Sequence, residues 1–243
     1  MKSVPECDEV PELSRAVWPD LVDREVSLVV PVGAIEQHGP HLPVDTDVRI
    51  SETVARRALR ALSGPHPFLL APALPYGASG EHEGFPGTVS LGTEALTTVL
   101  IEYGRSACRW AGRIVFVNGH GGNGPALLAA VRRLRYEGRD AAWFPCVFPD
   151  ADAHAGRTET AALLAISPSD VRADRAEAGE LRPIAELLDV LRADGVAGVS
   201  PNGVLGDPAG ADAATGETEL AAVAAGLGRA LTDWRPDENG RLR

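Results

Sequence analysis

The sequence predicts an α/β protein, built as one domain around a mostly parallel sheet that helices cover on both faces. Short apolar runs rich in β-branched residues alternate along the chain with longer stretches of helical spacing. Neighbouring parallel strands need a crossover connection, usually a helix, so this alternation indicates βαβ units. No linker, repeat or low-complexity run divides the 243 residues, and we expect a single domain over 1–243.

The first half of the chain contains two predicted strands and one predicted helix after an N-terminal arm. Residues 1–22 are rich in proline and acids, and we expect a loosely held arm there. The stretch VSLVVPVG (26–33) is a β-branched run that ends in Pro and Gly, as a buried strand does. Residues 47–62 have helical apolar spacing with arginines on the other face, and PFLLAPAL (67–74) predicts the second strand.

The second half contains the clearest strand and most of the helices. Thr93 is placed to cap a helix that ends near residue 112, and RIVFVNG (113–119) is the clearest strand. An amphipathic helix (124–138) and a further strand (141–148) follow. The remaining predicted helices lie around residues 159–165, 181–192 and 218–234, before a tail (235–243) that we expect to fray.

Composition and charge argue against several classes of function. The formal net charge is −11, and such an acidic surface would repel nucleic acid and anionic membranes. No apolar stretch approaches the ~18 residues of a membrane span, and the N-terminus lacks an apolar signal region. Cys7, Cys108 and Cys146 are far apart and form no CxxC pair, which argues against disulfides and favours a cytoplasmic location.

Five of the six histidines are predicted to lie in loops that follow strands. In open parallel sheets, ligands bind outside the carboxyl ends of the strands, so these side chains should meet at one edge. His66 is the exception, and we interpret it as a surface residue. The five histidines of the predicted edge are His38, His41, His82, His120 and His154.

Carboxylates accompany these histidines and complete a candidate metal site. Glu36 and Asp47 flank His38 in EQHGPHLPVDTD, and Glu159 follows His154 in HAGRTET. Imidazole and carboxylate ligands without sulfur suit Zn, Mn or Fe(II). The set exceeds the needs of one ion and fits two ions that share a carboxylate.

Each of these side chains also has a plainer interpretation. A single loop histidine is more often a polar or core residue than a ligand, and His41 is close enough to His38 to be its outer partner. Asp45 competes with Asp47 and could instead cap the following helix. Glu159 could be a first-turn acid that the helix dipole favours. The convergence of the whole set on one edge favours the metal site.

The stretch GHGGNG (119–124) matches the G-x-G-x-x-G pattern of dinucleotide-binding loops. The match is isolated, lies mid-chain and lacks an acid at the end of the next strand at the usual separation. We interpret the glycines instead as allowing a tight turn that brings His120 to the metal site. Asn118 and Asn123 would then hold this turn in place.

Four motifs in order, GAIEQHGPHLPVDTD, SGEHEGFPGTVS, VNGHGGN and HAGRTET, resemble the creatininase family of amidohydrolases. More narrowly, DTDVRI, YGASGEH, HAGRTETA and GVLGDP resemble the creatininase-like peptidases of mycofactocin biosynthesis. The resemblance implies a three-layer α/β/α sandwich and two divalent metal ions, which would be Fe(II), Zn(II) or both, with Mn(II) as a further option. It also implies a homo-oligomeric assembly, for example a hexamer.

The resemblance assigns ligands to both ions. Asp47 would bridge the ions, with Glu36 and His120 on one of them and His38 on the other. The full implied ligand set is Glu36, His38, Asp47, His120 and Glu159.

The assignment of Glu159 rests on a departure from the family pattern. Creatininase has a glutamate two residues after the histidine of the third strand, where this chain has Gly122. Glu159 is the candidate for the missing ligand because it lies in the matching HAG…E motif. The departure also argues against creatinine as the substrate.

The implied reaction is hydrolysis of an amide by a metal-activated water. His154 is the first candidate to pass a proton to the leaving amine, and Glu81 and His82 are the alternatives. The implied substrate is the modified mycofactocin precursor peptide, cut before its C-terminal Val-Tyr-derived dipeptide. The alternative is a small-molecule amidohydrolase of the creatininase or formamide deformylase type. A nucleotide-binding protein and a metal-stabilised protein without turnover are less favoured.

Overall fold

The computed structural model describes residues 10–22, 25–62, 68–149 and 151–243, and a four-stranded sheet lies at its centre. Every strand pairing in this sheet is parallel, which confirms the predicted sheet. His66 and the first nine residues of the expected arm lie outside the described residues. In the spatial order β2-β1-β3-β4, the strands are β1 (Ser27–Val32), β2 (Phe68–Leu70), β3 (Arg113–Asn118) and β4 (Ala141–Pro145).

Helices cover both faces of the sheet. The helices are α1 (Thr46–Ala61), α2 (Gly92–Ala107), α3 (Gly124–Tyr136), α4 (Arg157–Ile166), α5 (Ile184–Val199) and α6 (Ala213–Asp233). Side chains of α1, α4 and α6 form one apolar core with the sheet, and those of α2 and α3 form the other. The predicted three-layer α/β/α sandwich is therefore confirmed. In contrast, α5 packs against a short turn, Gly80–His82.

Strand β1 is buried along its whole length because it has a neighbour on each edge and helices on both faces. Leu28 and Val30 enter the core beneath α2 and α3, whereas Val29 enters the core beneath α1, α4 and α6. Burial of one large aliphatic side chain contributes roughly 1.5–3 kcal/mol. A continuous apolar run is therefore the expected sequence of an inner parallel strand.

The C-terminal tail does not fray, so that prediction is wrong. The backbone N–H of Trp143 donates to Gly240, and the N–H of Leu242 donates to Trp143, both at 2.9 Å. These bonds extend the β4 edge, and Leu242 is buried in the core beneath α6. At the other end of the chain, the N–H of Leu70 donates to Pro11 at 2.9 Å, so the described part of the arm lies along β2.

The proposed cap of α2 is also wrong. The helix starts at Gly92, and its N–H donates to the hydroxyl of Ser90 at 3.1 Å. Thr93 therefore lies inside the first turn, where its carbonyl accepts a bond from the hydroxyl of Thr97. The helix ends at Ala107, several residues before the predicted end.

Replacing Leu242 by alanine is expected to destabilise the protein by about 2–5 kcal/mol, because the side chain leaves a cavity in a packed core. Leu242 is 1% exposed, whereas Leu181 is 65% exposed and provides the matched control. Denaturant unfolding of both variants measures the difference. A Leu242→Ala protein as stable as Leu181→Ala would show that the tail adds nothing to the core.

The strand ends bring four segments to one edge of the sheet. The loop after β1 leads into α1, β3 leads into the glycine-rich turn before α3, and β4 leads towards α4. The connection after β2 contains the turn Gly80–His82. This is the edge on which the sequence predicted a site. No helix in the described part of the chain is long and apolar enough to cross a membrane.

Candidate metal centre

The loop after β1 supplies the innermost part of the candidate metal centre. Glu36 and His38 follow the end of β1, and Asp47 lies in the first turn of α1. All three residues are buried. The Nδ1 atom of His38 lies 3.1 Å from the backbone oxygen of Glu36, which orients the ring. Its Nε2 atom then faces Oδ1 of Asp47 at 3.1 Å.

His120 reaches the same carboxylates from β3. Its Nδ1 atom lies 3.2 Å from Oε1 of Glu36 and 3.3 Å from Oδ2 of Asp47. Its Nε2 atom lies 3.2 Å from the backbone oxygen of Ala78. The ring is therefore held from its far side and presents Nδ1 to the two acids.

Two asparagines hold the glycine-rich turn, as predicted. The amide of Asn118 donates to the backbone oxygen of His120 at 2.6 Å. Asn123 donates to Gly33 at 3.0 Å and accepts from the N–H of Ala78 at 2.8 Å, which ties the turn to two other segments. Glycine is required at 119 because a Cβ there would lie 2.3 Å from the backbone oxygen of Asp47.

Glu159 enters from the first turn of α4. Its Oε2 atom lies 3.8 Å from Nε2 of His38 and accepts a 2.6 Å hydrogen bond from the N–H of Ala155. Ala155 has a φ of 52°, a left-handed conformation that costs a non-glycine residue energy. The strained turn thus aims a backbone N–H at the Glu159 carboxylate.

These residues form overlapping groups of potential ligands. In each group, one nitrogen or oxygen atom per residue lies within 4.8 Å of the others. Asp47 belongs to two groups, which is the arrangement that two ions with a shared carboxylate require. The groups are Glu36 with Asp47 and His120, His38 with Asp47 and Glu159, and Glu36 with His38 and His154.

The buried carboxylates lack the partners that such groups normally have. Both side-chain oxygens of Glu36 and Oδ2 of Asp47 accept no hydrogen bond from the described residues. Burying an unpaired carboxylate is costly, and buried charges are usually paired or bound to metals. These three carboxylate oxygens, with imidazole nitrogens close to them, fit divalent cations such as Zn²⁺ or Mn²⁺.

The carboxylates change the proton affinity of two histidines. Burial lowers the pKa of His38, but the charge and hydrogen bond of Asp47, with two further acids, raise it to about 10. Burial is outweighed in the same way at His120, where Glu36 and Asp47 raise the pKa well above its ordinary value. Protons on both rings therefore balance the acids, and a bound cation would have to displace them.

The affinity for zinc is accordingly expected to increase with pH. The raised pKa of His38 means that its proton competes with the cation throughout the range below about 10. Raising the pH from about 6 to about 8 should strengthen binding by ~tenfold per pH unit for each proton displaced. Competition with a coloured chelator measures this dependence. An affinity that stays constant over the range would exclude proton displacement at these rings.

The three candidate proton carriers line the same site. His82 Nε2 lies 3.4 Å, and His154 Nδ1 lies 3.8 Å, from Oε1 of Glu36. Burial lowers the pKa of His82 to about 4 and that of His154 well below its ordinary value, so both rings are neutral near pH 7. Glu81 is 36% exposed, and burial raises its pKa.

His41 and Asp45, for which the sequence allowed more than one role, contact other residues in the structure. The Nε2 atom of His41 lies 2.9 Å from the hydroxyl of Thr160, and His41 belongs to none of the three ligand groups. Asp45 precedes α1, but its side chain makes no cap bond and instead accepts from Nε of Arg49 at 2.8 Å.

The space beside Gly122 is filled by other groups. A Cβ at this position would lie 2.4 Å from Nε2 of His120 and 2.9 Å from Oε1 of Glu81. The Glu81 carboxylate therefore stands where a side chain from residue 122 would begin. Among the described residues, Glu81 is an acid that approaches the site from the side of Gly122. Its Oε1 atom lies 3.6 Å from Nε2 of His120.

A cleft of about 930 Å³ opens onto the ligand groups. Ile184, Leu188 and Leu191 of α5 form an apolar part of its wall. The helix kinks at Gly195, whose φ is 67° and whose Cβ would lie 2.6 Å from the backbone oxygen of Glu81. The sequence predicted this helix but gave no sign that it borders the site, because its role depends on a contact between distant segments.

Comparison with known proteins identifies the family. The family model named Creatininase, described as creatinine amidohydrolase, matches residues 13–231. The chain belongs to the creatininase family. This confirms the resemblance seen in the four motifs and makes the protein a hydrolase of that family.

Individual members of the family agree with the chain over most of its length. A protein of Mycolicibacterium smegmatis (strain ATCC 700084 / mc(2)155), named mycofactocin precursor peptide peptidase, is 57% identical over 217 residues, or 88% of each chain. A solved structure called Creatininase Mn is 26% identical, with a TM-score of 0.77 over 94% of this chain and 100% of that chain. A mutant creatininase of Zn-Zn type is 26% identical, with a TM-score of 0.76 over 92% and 98%.

Proposed function

We propose that the protein is a metal-dependent peptidase that cleaves the modified mycofactocin precursor peptide before its C-terminal Val-Tyr-derived dipeptide. The observation that carries the chemistry is the pair of buried ligand groups that share Asp47 beside unpartnered oxygens of Glu36. The similarity to a relative named mycofactocin precursor peptide peptidase supports the substrate.

The proposed centre holds two divalent ions. Glu36 and His120 would bind one ion, His38 and Glu159 the other, and Asp47 both. When bound, the ions would supply an activated water and positive charge for the developing oxyanion. The Ala155 N–H keeps the Glu159 carboxylate turned towards His38.

Residues on the wall of the cleft would transfer a proton to the leaving amine. His82, His154 and Glu81 all border the cleft, and a general acid must come within hydrogen-bond reach of the amine. The two histidines are neutral near pH 7, so each has one ring nitrogen that can take up a proton and pass it on.

The cleft favours a peptide over a small cyclic amide. Its volume of about 930 Å³ and the apolar wall of α5 leave room for an aromatic fragment beside the ligand groups. Gly122 also removes the glutamate that the creatininase pattern has at this position. These features support the peptidase over creatininase or formamide deformylase activity.

The test is cleavage of the enzymatically modified precursor peptide by zinc- or iron-loaded protein, followed by mass spectrometry. Release of the modified dipeptide, with no comparable turnover of creatinine or of formamides, is the expected result. The unmodified peptide serves as the control for recognition of the modification. Turnover of creatinine or a formamide without cleavage of the modified peptide would replace the proposal with the small-molecule alternative.

Some details of the proposal stay predictions. The proposed ions are Fe(II) or Zn(II), with Mn(II) as an alternative, and solved relatives described as Zn-Zn and Mn forms make these metals reasonable. Homo-oligomeric assembly, for example as a hexamer, and a cytoplasmic location are likewise predicted from the sequence.

A further inference from the structure

The side chain of Gln37 lies between two histidines of the candidate metal centre. Its orientation is determined by two backbone groups outside the centre. Its Oε1 atom accepts from the N–H of Gly39 at 2.8 Å, and its Nε2 atom donates to the carbonyl of Gly203 at 3.0 Å. An N–H needs an acceptor and a carbonyl needs a donor, so the amide cannot be reversed.

The backbone carbonyl of Gln37 decides which nitrogen of His154 carries the proton. The Nε2 atom of His154 lies 2.8 Å from the backbone carbonyl of Gln37. A carbonyl only accepts, so Nε2 must donate and therefore carries the hydrogen. Because a neutral imidazole has one N–H, Nδ1 of His154 has a free lone pair, and it faces Oε1 of Glu36 at 3.8 Å.

The side-chain amide of Gln37 requires His82 to point its N–H, and not its lone pair, towards the centre. One hydrogen of the Gln37 amide is used by Gly203, and the protonated Nε2 of His154 cannot accept the other. The second hydrogen therefore goes to Nδ1 of His82, at 2.9 Å. His82 then carries its hydrogen on Nε2, which lies 3.4 Å from Glu36 Oε1 and 3.9 Å from Glu81 Oε1.

We propose that Gln37 is a positioning residue that makes His154 present a lone pair, and His82 an N–H, to the centre. The lone pair of His154 completes the ligand group that it forms with Glu36 and His38. His82 becomes the ring that donates a hydrogen bond towards the cleft. The catalytic consequence rests on the proposed function: a neutral ring must accept a proton before it can pass one on, so His82 serves as a hydrogen-bond donor to the substrate and not as the proton carrier.

Nitrogen-15 NMR of zinc-loaded, full-length protein with labelled histidine tests the assignment without turnover. Long-range proton–nitrogen correlations distinguish a ring with hydrogen on Nδ1 from one with hydrogen on Nε2, and the spectrum of His82→Gln assigns the His82 signals. The expected parent spectrum has the hydrogen of His82 on Nε2 and the lone pair of His154 on Nδ1. Hydrogen on Nδ1 of either ring in the parent would overturn the proposal, and this readout needs no variant of Gln37.

The variant Gln37→Glu sharpens the test. A carboxylate cannot donate to Nδ1 of His82, so the hydrogen of that ring should move to Nδ1 while His154 stays unchanged. If the peptide is a substrate, kcat should fall ~10–100-fold with little change in KM, as for other residues that orient a metal-site group. A His82 ring without a hydrogen on Nδ1 in this variant would contradict the role of Gln37.

Thr88→Val is the matched control because the Thr88 hydroxyl accepts from the backbone N–H of Gln37 and does not touch the amide. Both ring assignments should survive in this variant. The expected spectra together with no peptide cleavage would reject the proposed function and leave the role of Gln37 supported. Cleavage together with the opposite ring assignment would reject the role of Gln37 alone.

Discussion

Replacing Asp47 by alanine is expected to remove both metal ions and to abolish hydrolysis. Asp47 is the carboxylate that the two proposed ion positions share, so its loss leaves each position with two ligands. Loss of an outer partner of a metal ligand already costs ~10–100-fold in affinity or activity, and loss of the shared ligand should cost more. Elemental analysis of the purified variant and peptide cleavage assays measure the two effects.

Asp45→Ala is the control for the loss of one acid from the same loop. Asp45 lies two positions before Asp47, but its carboxylate pairs with Arg49, and it belongs to none of the three ligand groups. This variant should keep its metal content and its activity. An Asp47→Ala protein that retains two ions per chain and full activity would eliminate the shared-carboxylate model.

Replacing Glu159 by glutamine is expected to remove one ion and leave the other. Glu159 belongs only to the group with His38 and Asp47, whereas the group of Glu36, Asp47 and His120 stays intact. The glutamine oxygen can still accept from the N–H of Ala155, so the turn before α4 should keep its shape. The metal content should fall from two ions to about one ion per chain, and cleavage should slow by more than ~100-fold.

Glu81→Gln provides the comparison for this experiment, since Glu81 also borders the cleft but belongs to none of the three groups. It should retain both ions whatever its effect on turnover. Two ions per chain in Glu159→Gln would mean that another residue completes the second position. No ion in that variant would mean that the two positions are not independent.

The local pattern of apolar and polar residues was enough to predict the sheet and the edge of the sheet at which the candidate site lies. Strand β1 is apolar from Leu28 to Val32 because both faces of the sheet are covered, and such a continuous apolar run can be recognised in a short stretch of sequence. The rule that ligands gather at the carboxyl ends of parallel strands then placed His38, His120 and His154 together. The structure brings these three rings to the acids of the first loop.

Features that depend on contacts between distant segments could not be predicted in this way. The tail reads as polar and charged, yet Leu242 is buried because residues near 240 pair with Trp143 of β4. Gln37 lies in the loop after β1, between Glu36 and His38. A buried amide must find partners, but its partners Gly203 and His82 lie far along the chain.

The glycine-rich turn illustrates how a motif can match a pattern for a different physical reason. Its first glycine permits the close approach of the turn to the backbone of Asp47 at the start of α1. Gly122 leaves space for His120 and Glu81. In this chain the glycines therefore serve the packing around His120, which a pattern for phosphate-binding loops does not encode.

Anomalous diffraction from zinc-loaded crystals, with data collected on both sides of the zinc absorption edge, tests the central claim most directly. The expected result is two zinc peaks per chain on either side of the Asp47 carboxylate. One peak should contact Glu36 and His120, and the other should contact His38 and Glu159. A single peak, or peaks that leave Asp47 without a contact to either ion, would contradict the two-ion centre.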